Sequence, residues 1–334
     1  MTRHATIIGI GSYLPDLILT NSDLEEMVET SDEWIFARTG IRERRVAAED
    51  QATSDLAVEA ARAALLTAGV GTDEIDLLLV GTSSPDFIFP STAAVAQTKL
   101  GLSCPAYDVM AACTGFVYAL HAATAAIESG RAERVLVIGA DALTRHVDFT
   151  DRATCVLFGD GAGAVVLAAS DEPGVEAIVL GADGAGAEVL QIPAGGSAMP
   201  ATEPRVRDRM QFVRMNGNEV FKFAVRVIPA ATSQALEASG HDVSDLAWLV
   251  PHQANQRITA TVADRLGISH ERVFSNISTT GNTSAASIPL ALDELYTCGR
   301  LAPGDLLALV GFGAGLTWGA AIVRWTMATL PRKG

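Results

Sequence analysis

The chain has few cysteines, few basic residues and no long apolar run. Only 4 of its 334 residues are cysteine, and none has a CxxC or other metal-ligand spacing, so the sequence predicts neither a disulfide framework nor a metal site. Lys and Arg number 24 against 39 Asp and Glu, and this net charge of −15 argues against nucleic acid as a partner. No apolar run reaches the length of a membrane span, so no membrane partner is expected.

The start of the sequence and the cysteine content suggest where the protein works. MTRHATIIGIGSYLPD has a short apolar stretch without a signal-peptide cleavage pattern, and this is more typical of a first strand and turn. Four cysteines without CxxC or metal-ligand spacing are most simply assigned to a reducing compartment. We therefore expect a cytoplasmic protein.

The sequence carries a diverged internal repeat. IDLLLVGTSS resembles LAWLVPHQAN, and CTGFVYALHAATAAI resembles NTSAASIPLALDELY, with equivalent positions 169 or 170 residues apart. Each copy alternates apolar strands with amphipathic helices, which is typical of an α/β fold. AASDEPG supplies turn residues between the copies. The sequence thus predicts two similar halves, 1–172 and 173–334, with a site where they meet.

Cys113 is the first candidate for chemistry. It stands in DVMAACTGFVYALHAATAAIESG, where an apolar stretch ends in small residues before a helix-like run. The N-terminus of a helix stabilises a thiolate, which is the nucleophilic form of cysteine. The simpler interpretation is a buried structural cysteine.

His252 and Asn282 are the other two candidates. His252 follows the second-half strand in LVPHQANQRI, and active sites of α/β sheets gather at the carboxyl ends of strands. Asn282, in STTGNTSAASIPLAL, occupies the place in its half that Cys113 occupies in the first. The plainer alternatives are a structural histidine and a helix N-cap.

Two glycine-rich segments have different predicted roles. GFGAG, at 311–315, follows a strand and serves either as a tight turn or as an oxyanion hole, whose backbone N–H groups approach a reacting oxygen. FGDGAGAVVLAAS lacks GxGxxG before a helix, so we interpret it as packing rather than nucleotide binding.

Taken together, these motifs resemble one family. ACTGFVYAL, VPHQANQRI, GNTSAAS and GFGAGLTWG, with TSDEWIFARTGIRERR and TDRATCVLFGDGAGAVVLAAS, are similar to the β-ketoacyl-acyl-carrier-protein synthase III enzymes of bacterial fatty acid synthesis. The resemblance extends from Ile7 to about Arg324. It implies a thiolase-like α/β fold, in which duplicated halves form a five-layer αβαβα sandwich.

The resemblance also implies roles for individual residues. Cys113 matches the acyl-accepting nucleophile, and His252 and Asn282 match the pair that promotes decarboxylation. The backbone N–H groups of Cys113 and Ala314 match the oxyanion hole, although many members have glycine at the position of Ala314. The matches to the coenzyme A and substrate site are Trp34, Arg38, Arg152, Gly217, Asn218, Asn255 and Phe312. Phe89 matches a residue that a dimer partner contributes to the acyl pocket.

The implied reaction is a decarboxylative Claisen condensation. An acyl-CoA primer, expected to be acetyl-CoA, and malonyl-acyl carrier protein give 3-oxoacyl-acyl carrier protein, CoA and CO₂, with no metal or redox cofactor. A homodimer is expected. Carrier-protein docking is predicted at Arg257, Lys222 and Arg226, the last two from a stretch with six basic and two acidic residues.

Three other functions compete with this interpretation. A degradative thiolase is disfavoured, because GFGAG lacks the second cysteine that this class uses. A condensing enzyme of a specialised polyketide or quinolone pathway would have the same Cys/His/Asn set. A non-catalytic acyl-CoA-binding scaffold need not keep all three residues.

Overall fold

A computed structural model describes residues 3–330, which contain thirteen strands and ten α-helices. The strands are β1 His4–Tyr13, β2 Leu17–Thr20, β3 Glu43–Val46, β4 Leu77–Gly81, β5 Ala106–Val109, β6 Arg134–Ala142, β7 Asp160–Ser170, β8 Val175–Ala182, β9 Leu190–Gln191, β10 Arg214–Met215, β11 Leu246–Pro251, β12 Leu306–Gly313 and β13 Thr317–Arg324. The helices are α1 Asn21–Glu25, α2 Asp32–Thr39, α3 Thr53–Ala68, α4 Thr92–Leu100, α5 Gly115–Glu128, α6 Glu203–Arg207, α7 Gly217–Ser239, α8 Gln256–Leu266, α9 Ile277–Thr280 and α10 Ser287–Thr297.

Two sheets repeat one topology. The first has the order β1-β7-β6-β4-β5, and the second has the order β8-β13-β12-β11. In each sheet the first three strands run antiparallel to their neighbours and the fourth pairs in parallel with the third. An isolated parallel bridge between Leu249 and Val273 lies where a fifth strand of the second sheet would begin. The repeat seen in the sequence is therefore a repeat of strand order and direction.

The sheets and helices stack in five layers. Helices α5 and α10 contact strands of both sheets and so lie between them, whereas α3 packs on the outer face of the first sheet and α7 on that of the second. Strands such as β6 and β12 are buried along almost their whole length because helices cover both faces, which explains their continuous apolar sequences. This arrangement confirms the predicted αβαβα sandwich.

The two sheets divide the chain near the predicted boundary. The first draws its strands from residues 4–170 and the second from residues 175–324. Helix α10 of the second half nevertheless packs against β7 and β1 of the first. The assignment of 1–172 and 173–334 as two domains stays a prediction.

Close backbone approach brings the start of α5 and the turn before α10 onto the carboxyl end of the first sheet. A Cβ atom at Gly139 would lie 2.2 Å from the carbonyl oxygen of Ala285, and one at Gly81 would lie 2.5 Å from the backbone of Gly115. Only glycine permits this spacing. The loops that carry Cys113 and Asn282 thus meet at one place.

No helix within residues 3–330 is long and apolar enough to cross a bilayer.

Candidate active site

Cys113 lies where two cavities meet. It occupies a 3₁₀ turn, Ala112–Thr114, directly before α5, as the sequence predicted for a cysteine at a helix start. One cavity, of about 310 Å³, is lined by basic side chains at its mouth and by His252 and Asn282 deeper in; we call it the basic cavity. The other, of about 380 Å³, has mostly apolar walls that include Leu143 and Ile192; we call it the apolar cavity.

Burial changes the expected charge of the Cys113 sulfur. Only 8% of the residue is exposed, and desolvation raises the pKa of its thiol to about 12, outweighing the nearby Ser284 hydroxyl and the Cys113 backbone N–H, which lower it. Burial thus opposes the thiolate that the helix start favours, and the sequence argument considered the helix start without the burial. The thiol has to lose its proton as it reacts.

His252 is neutral and has a defined tautomer. It follows β11 directly, as predicted, and burial lowers the pKa of its imidazole to about 3. Its Nδ1 lies 2.5 Å from the Ser287 hydroxyl oxygen, which also accepts a 3.4 Å hydrogen bond from the Gln253 N–H. The Ser287 O–H is then free to donate to Nδ1, so the ring hydrogen lies on Nε2. His252 can thus act as a hydrogen-bond donor.

Asn282 has the NH₂ group of its side-chain amide free to donate to a ligand. Its Oδ1 accepts a 2.9 Å hydrogen bond from the backbone N–H of Ser284, which fixes the orientation of the side chain. Its NH₂ group donates to no acceptor within residues 3–330, and the residue lines the basic cavity together with His252. Two donors, one from each residue, are therefore available at the same wall of this cavity.

The backbone around Cys113 and Ala314 suits an oxyanion hole. A Cβ atom at Gly313 would lie 2.7 Å from the Cys113 backbone nitrogen, so glycine is needed for the end of β12 to approach the nucleophile. Ala314 follows β12, lines the apolar cavity and is not among the residues with positive φ, so its backbone accommodates a Cβ. The role of these N–H groups stays a prediction.

The mouth of the basic cavity is formed by stacked cations and an indole. The guanidinium carbon of Arg38 lies 4.3 Å from the centroid of the Trp34 ring, and that of Arg152 lies 4.6 Å from it. A purine between Trp34 and Arg152 needs roughly 7 Å, twice the ordinary contact distance. Arg152, which also donates to the Glu29 carbonyl oxygen, must therefore move to admit a base.

The remaining residues predicted to bind coenzyme A also line this cavity. Gly217 and Asn218 begin α7, and Asn255 caps α8 through its Oδ1 while its NH₂ group donates to the Arg38 carbonyl oxygen. The Asn255 side chain therefore holds α2 and α8 together. Phe312 packs edge-on against His252, with 5.6 Å between ring centroids.

Phe89 and the predicted docking residues lie on the surface. Phe89 is 85% exposed and does not line the apolar cavity of its own chain. Arg257 lines the basic cavity, and Arg226 is exposed on α7; neither has a carboxylate within 4.0 Å in the described part of the chain. Lys222, by contrast, pairs with Glu219 at 2.8 Å.

Sequence reasoning missed three side chains that support the candidate residues: Ser287, Ser284 and Asp141. Ser284 and Ser287 belong to the same GNTSAAS string as Asn282, and Asp141 ends the strand-like VLVIGAD. The small polar residues beside Asn282 in the sequence could have indicated such supporting side chains. The sequence could not show which atoms these side chains contact.

Comparisons with known proteins agree with this geometry. The family models for 3-oxoacyl-[acyl-carrier-protein] synthase III and for its C-terminal part match residues 107–184 and 236–325. The β-ketoacyl-[acyl-carrier-protein] synthase III of Xanthomonas oryzae pv. oryzae is 51% identical over 96% of this chain and 98% of its own. The 3-oxoacyl-[acyl-carrier-protein] synthase III structure from Aquifex aeolicus VF5 has a TM-score of 0.90 and 44% identity, covering 96% of this chain and 100% of its own. The priming β-ketosynthase of the R1128 polyketide pathway has a TM-score of 0.90 and 38% identity, covering 97% of each chain.

The duplicated fold and the cavities around Cys113 define an acyl-transferring condensing enzyme with a thiolase-like fold. Within that class, the chain belongs to the 3-oxoacyl-[acyl-carrier-protein] synthase III family.

Proposed function

We propose that this protein condenses an acyl-CoA primer with malonyl-acyl carrier protein and so initiates bacterial type II fatty acid synthesis. The observation that carries the proposal is the convergence of Cys113, His252 and Asn282 on one cavity, with Cys113 and Asn282 at equivalent places in the two halves. We further propose that the enzyme works in the cytoplasm and needs no metal or redox cofactor.

The first half-reaction is acyl transfer to Cys113. The sulfur attacks the thioester carbonyl carbon, CoA leaves, and the acyl group remains on the enzyme. The N–H groups of Cys113 and Ala314 stabilise the negative oxygen of the tetrahedral intermediate. The acyl chain then occupies the apolar cavity, which opens at the same sulfur.

The second half-reaction uses His252 and Asn282. Malonyl-acyl carrier protein loses CO₂, and negative charge develops on its thioester oxygen. The Nε2–H of His252 and the NH₂ group of Asn282 donate hydrogen bonds to that oxygen and so stabilise its negative charge. A carboxylate in either place would instead repel the charge. The carbanion attacks the acyl-enzyme carbonyl carbon, and Cys113 leaves as the 3-oxoacyl product forms.

Decarboxylation should not depend on His252 titration between pH 5 and 8. Burial holds the pKa of His252 near 3, below its ordinary value of 6.5, so the ring takes up a proton only as the pH falls towards 3. We expect the rate of CO₂ release from malonyl-acyl carrier protein to show no change centred near pH 6.5. A loss of rate centred there, absent from His252→Ala, would contradict a neutral imidazole.

The basic cavity suits the anionic coenzyme. Trp34 and Arg152 offer stacking surfaces for adenine once they separate, and Arg38 adds a positive charge for the phosphates. Asn218 and Gly217 lie along the route that the pantetheine arm would take towards Cys113.

Carrier-protein docking is proposed at Arg257, Arg226 and Lys222. A carrier protein is acidic, so reversing the charge of Arg257 should raise the KM for malonyl-acyl carrier protein about tenfold, worth roughly 1.4 kcal/mol. Arg131→Glu is the matched control, because Arg131 is also exposed, has no carboxylate within 4.0 Å in the described part of the chain and lines neither cavity. Equal KM values for Arg257→Glu and the wild type would contradict this docking site.

A homodimer is proposed from a set of exposed apolar side chains, one of which lines the apolar cavity. Phe87, Ile88 and Phe89 are 58%, 83% and 85% exposed, and Met110, which lines that cavity, is 71% exposed. Water contact of this much apolar surface is unfavourable and favours a partner there. By resemblance to the family, Phe89 of the partner subunit would then line the acyl pocket, and acetyl-CoA stays the proposed primer.

Intact-protein mass spectrometry with a panel of acyl-CoAs tests the function and the primer together. An acyl adduct mapped to Cys113, discharged by malonyl-acyl carrier protein, is the expected result, with acetyl loaded best. Preference for a longer or branched group would replace acetyl-CoA as the proposed primer. The absence of any adduct would contradict the proposed function.

A further inference from the structure

The loop between β9 and β10 forms one wall of the apolar cavity; we call it the wall loop. It spans residues 192–213, contains α6, and contributes a cavity-lining side chain at each end, Ile192 and Val213. Both side chains pack in one hydrophobic cluster with Leu143, which lines the same cavity from the segment after β6. A loop of this length in a compact fold usually serves the function of the protein.

Two anchors tie the wall loop to the segment after β6. The Val213 N–H donates a 2.8 Å hydrogen bond to the His146 carbonyl oxygen. The Arg209 guanidinium meets the Asp148 carboxylate as a two-donor fork, in which Nε lies 2.5 Å from Oδ2 and one terminal nitrogen lies 2.5 Å from Oδ1. Within residues 3–330, the remaining hydrogen bonds of the loop join it to itself or to the adjoining Arg214. The position of the loop therefore depends on these two anchors.

The Arg209–Asp148 pair differs from the other ion pair of the wall loop. The Asp148 side chain is only 13% exposed, and two parallel hydrogen bonds from arginine to a carboxylate are the geometry in which an ion pair contributes to stability. Arg207 pairs with Glu203, but those side chains are 73% and 84% exposed and belong to the same helix. That pair cannot hold the loop against the rest of the protein.

The backbone at Arg209 has a conformation that its surroundings impose. Its φ is 57°, in the left-handed region that residues with a Cβ atom rarely adopt. The guanidinium lies between Asp148 and the Phe212 ring, with its central carbon 5.1 Å from the ring centroid. Loss of the ion pair should therefore let this part of the wall loop relax.

The place of the wall loop in the cavity separates its effect on short and on long acyl groups. Leu190 and Phe158 line both cavities and so lie where the two meet, at the Cys113 sulfur, whereas Ile192 and Val213 line the apolar cavity alone. An acetyl group ends one methyl group beyond the thioester carbonyl carbon. A longer chain extends further into the cavity and needs the space that Ile192 and Val213 bound.

We propose that Arg209 is a positioning residue for primer selection. Its ion pair with Asp148 holds Ile192 and Val213 as a fixed wall of the apolar cavity and so limits the length of the acyl chain that Cys113 accepts. The inference rests on the proposed acyl transfer to Cys113. It assigns chain-length discrimination to a contact outside the cavity, since neither Arg209 nor Asp148 lines it.

Competition between two primers tests the proposal. The whole chain is mixed with equal amounts of acetyl-CoA and hexanoyl-CoA, and the early acyl adducts on Cys113 are measured by intact-protein mass spectrometry. We expect the ratio of hexanoyl to acetyl adduct to rise about tenfold in Arg209→Gln, which is within the range by which a pocket discriminates acyl groups. Acylation by acetyl-CoA alone should stay within twofold of the wild type, because the acetyl group does not reach the wall loop.

Three further variants assign the effect to the ion pair. Asp148→Asn keeps an oxygen for the Thr150 N–H but turns an NH₂ group towards the Arg209 Nε, so it should shift the ratio as much as Arg209→Gln. The double variant should shift the ratio no further, because both changes remove one and the same contact. Arg207→Gln is the matched control and should keep the wild-type ratio, because it removes an arginine of the same loop that pairs only within α6. Arg209 is exposed, so Arg209→Gln with this control decides even if Asp148→Asn does not fold.

The possible failures are distinct. An unchanged or lower ratio in Arg209→Gln would overturn the proposal, and so would an equal loss of acylation by both primers, which would indicate a general structural role. The same rise in Arg207→Gln, or an additive rise in the double variant, would show that the ion pair is not the cause. The absence of any adduct on Cys113 in the wild type would instead remove the proposed function on which the inference rests.

Discussion

Replacing Cys113 by alanine is expected to abolish acyl transfer, with a loss of at least about 1,000-fold. The covalent route has no other nucleophile, because Cys113 is the only cysteine lining either cavity among the residues described. Stopped-flow measurement of CoA release, with mass spectrometry of the protein, checks the prediction. Condensation from acyl-CoA at a comparable rate in Cys113→Ala would exclude the covalent mechanism.

Two measurements show that such a loss is specific. Cys104→Ala is a matched control, because Cys104 is also buried but packs in the outer hydrophobic cluster on the far side of the first sheet from α5. Its acyl transfer should equal that of the wild type. Cys113→Ala should also keep the decarboxylation of malonyl-acyl carrier protein, which depends on His252 and Asn282. Loss of both half-reactions would indicate a damaged fold.

Replacing Asn282 by aspartate is expected to reduce decarboxylation by at least about 1,000-fold. The new side chain has the same shape, and one of its oxygens can still accept the Ser284 N–H, but the other places negative charge where the enolate oxygen develops. Release of CO₂ from malonyl-acyl carrier protein, measured in the Cys113→Ala background, isolates this step from acylation.

Comparison with alanine variants separates a lost donor from an added charge. Asn282→Ala and His252→Ala each remove one hydrogen-bond donor, and each should lose about 100- to 1,000-fold. Asn282→Asp should be the slowest of the three. Equal rates for Asn282→Asp and Asn282→Ala would show that Asn282 does not face the developing charge.

The sequence predicted the elements that carry the site because local patterns determine them. Continuous apolar runs marked β6 and β12, and small residues before helix-like runs placed Cys113 before α5 and Asn282 before α10. A strand ending at Pro251 placed His252 at a sheet edge. The internal repeat and the family resemblance then predicted the five-layer sandwich, since duplicated strand order follows from duplicated sequence.

Sequence pattern alone could not give the electrostatics of the site, which depend on contacts between distant segments. Burial of Cys113 by both halves raises the pKa of the thiol that a helix start alone would lower. The contact of His252 with Ser287 spans 35 residues. The Asp141 carboxylate accepts from Ala285, 144 residues away. These properties arise because desolvation and hydrogen bonding act through space between segments that are distant in the chain. Local sequence pattern was therefore enough to place each residue at the end of a helix or strand. The protonation of these residues and their hydrogen-bond partners depend on how the two halves pack.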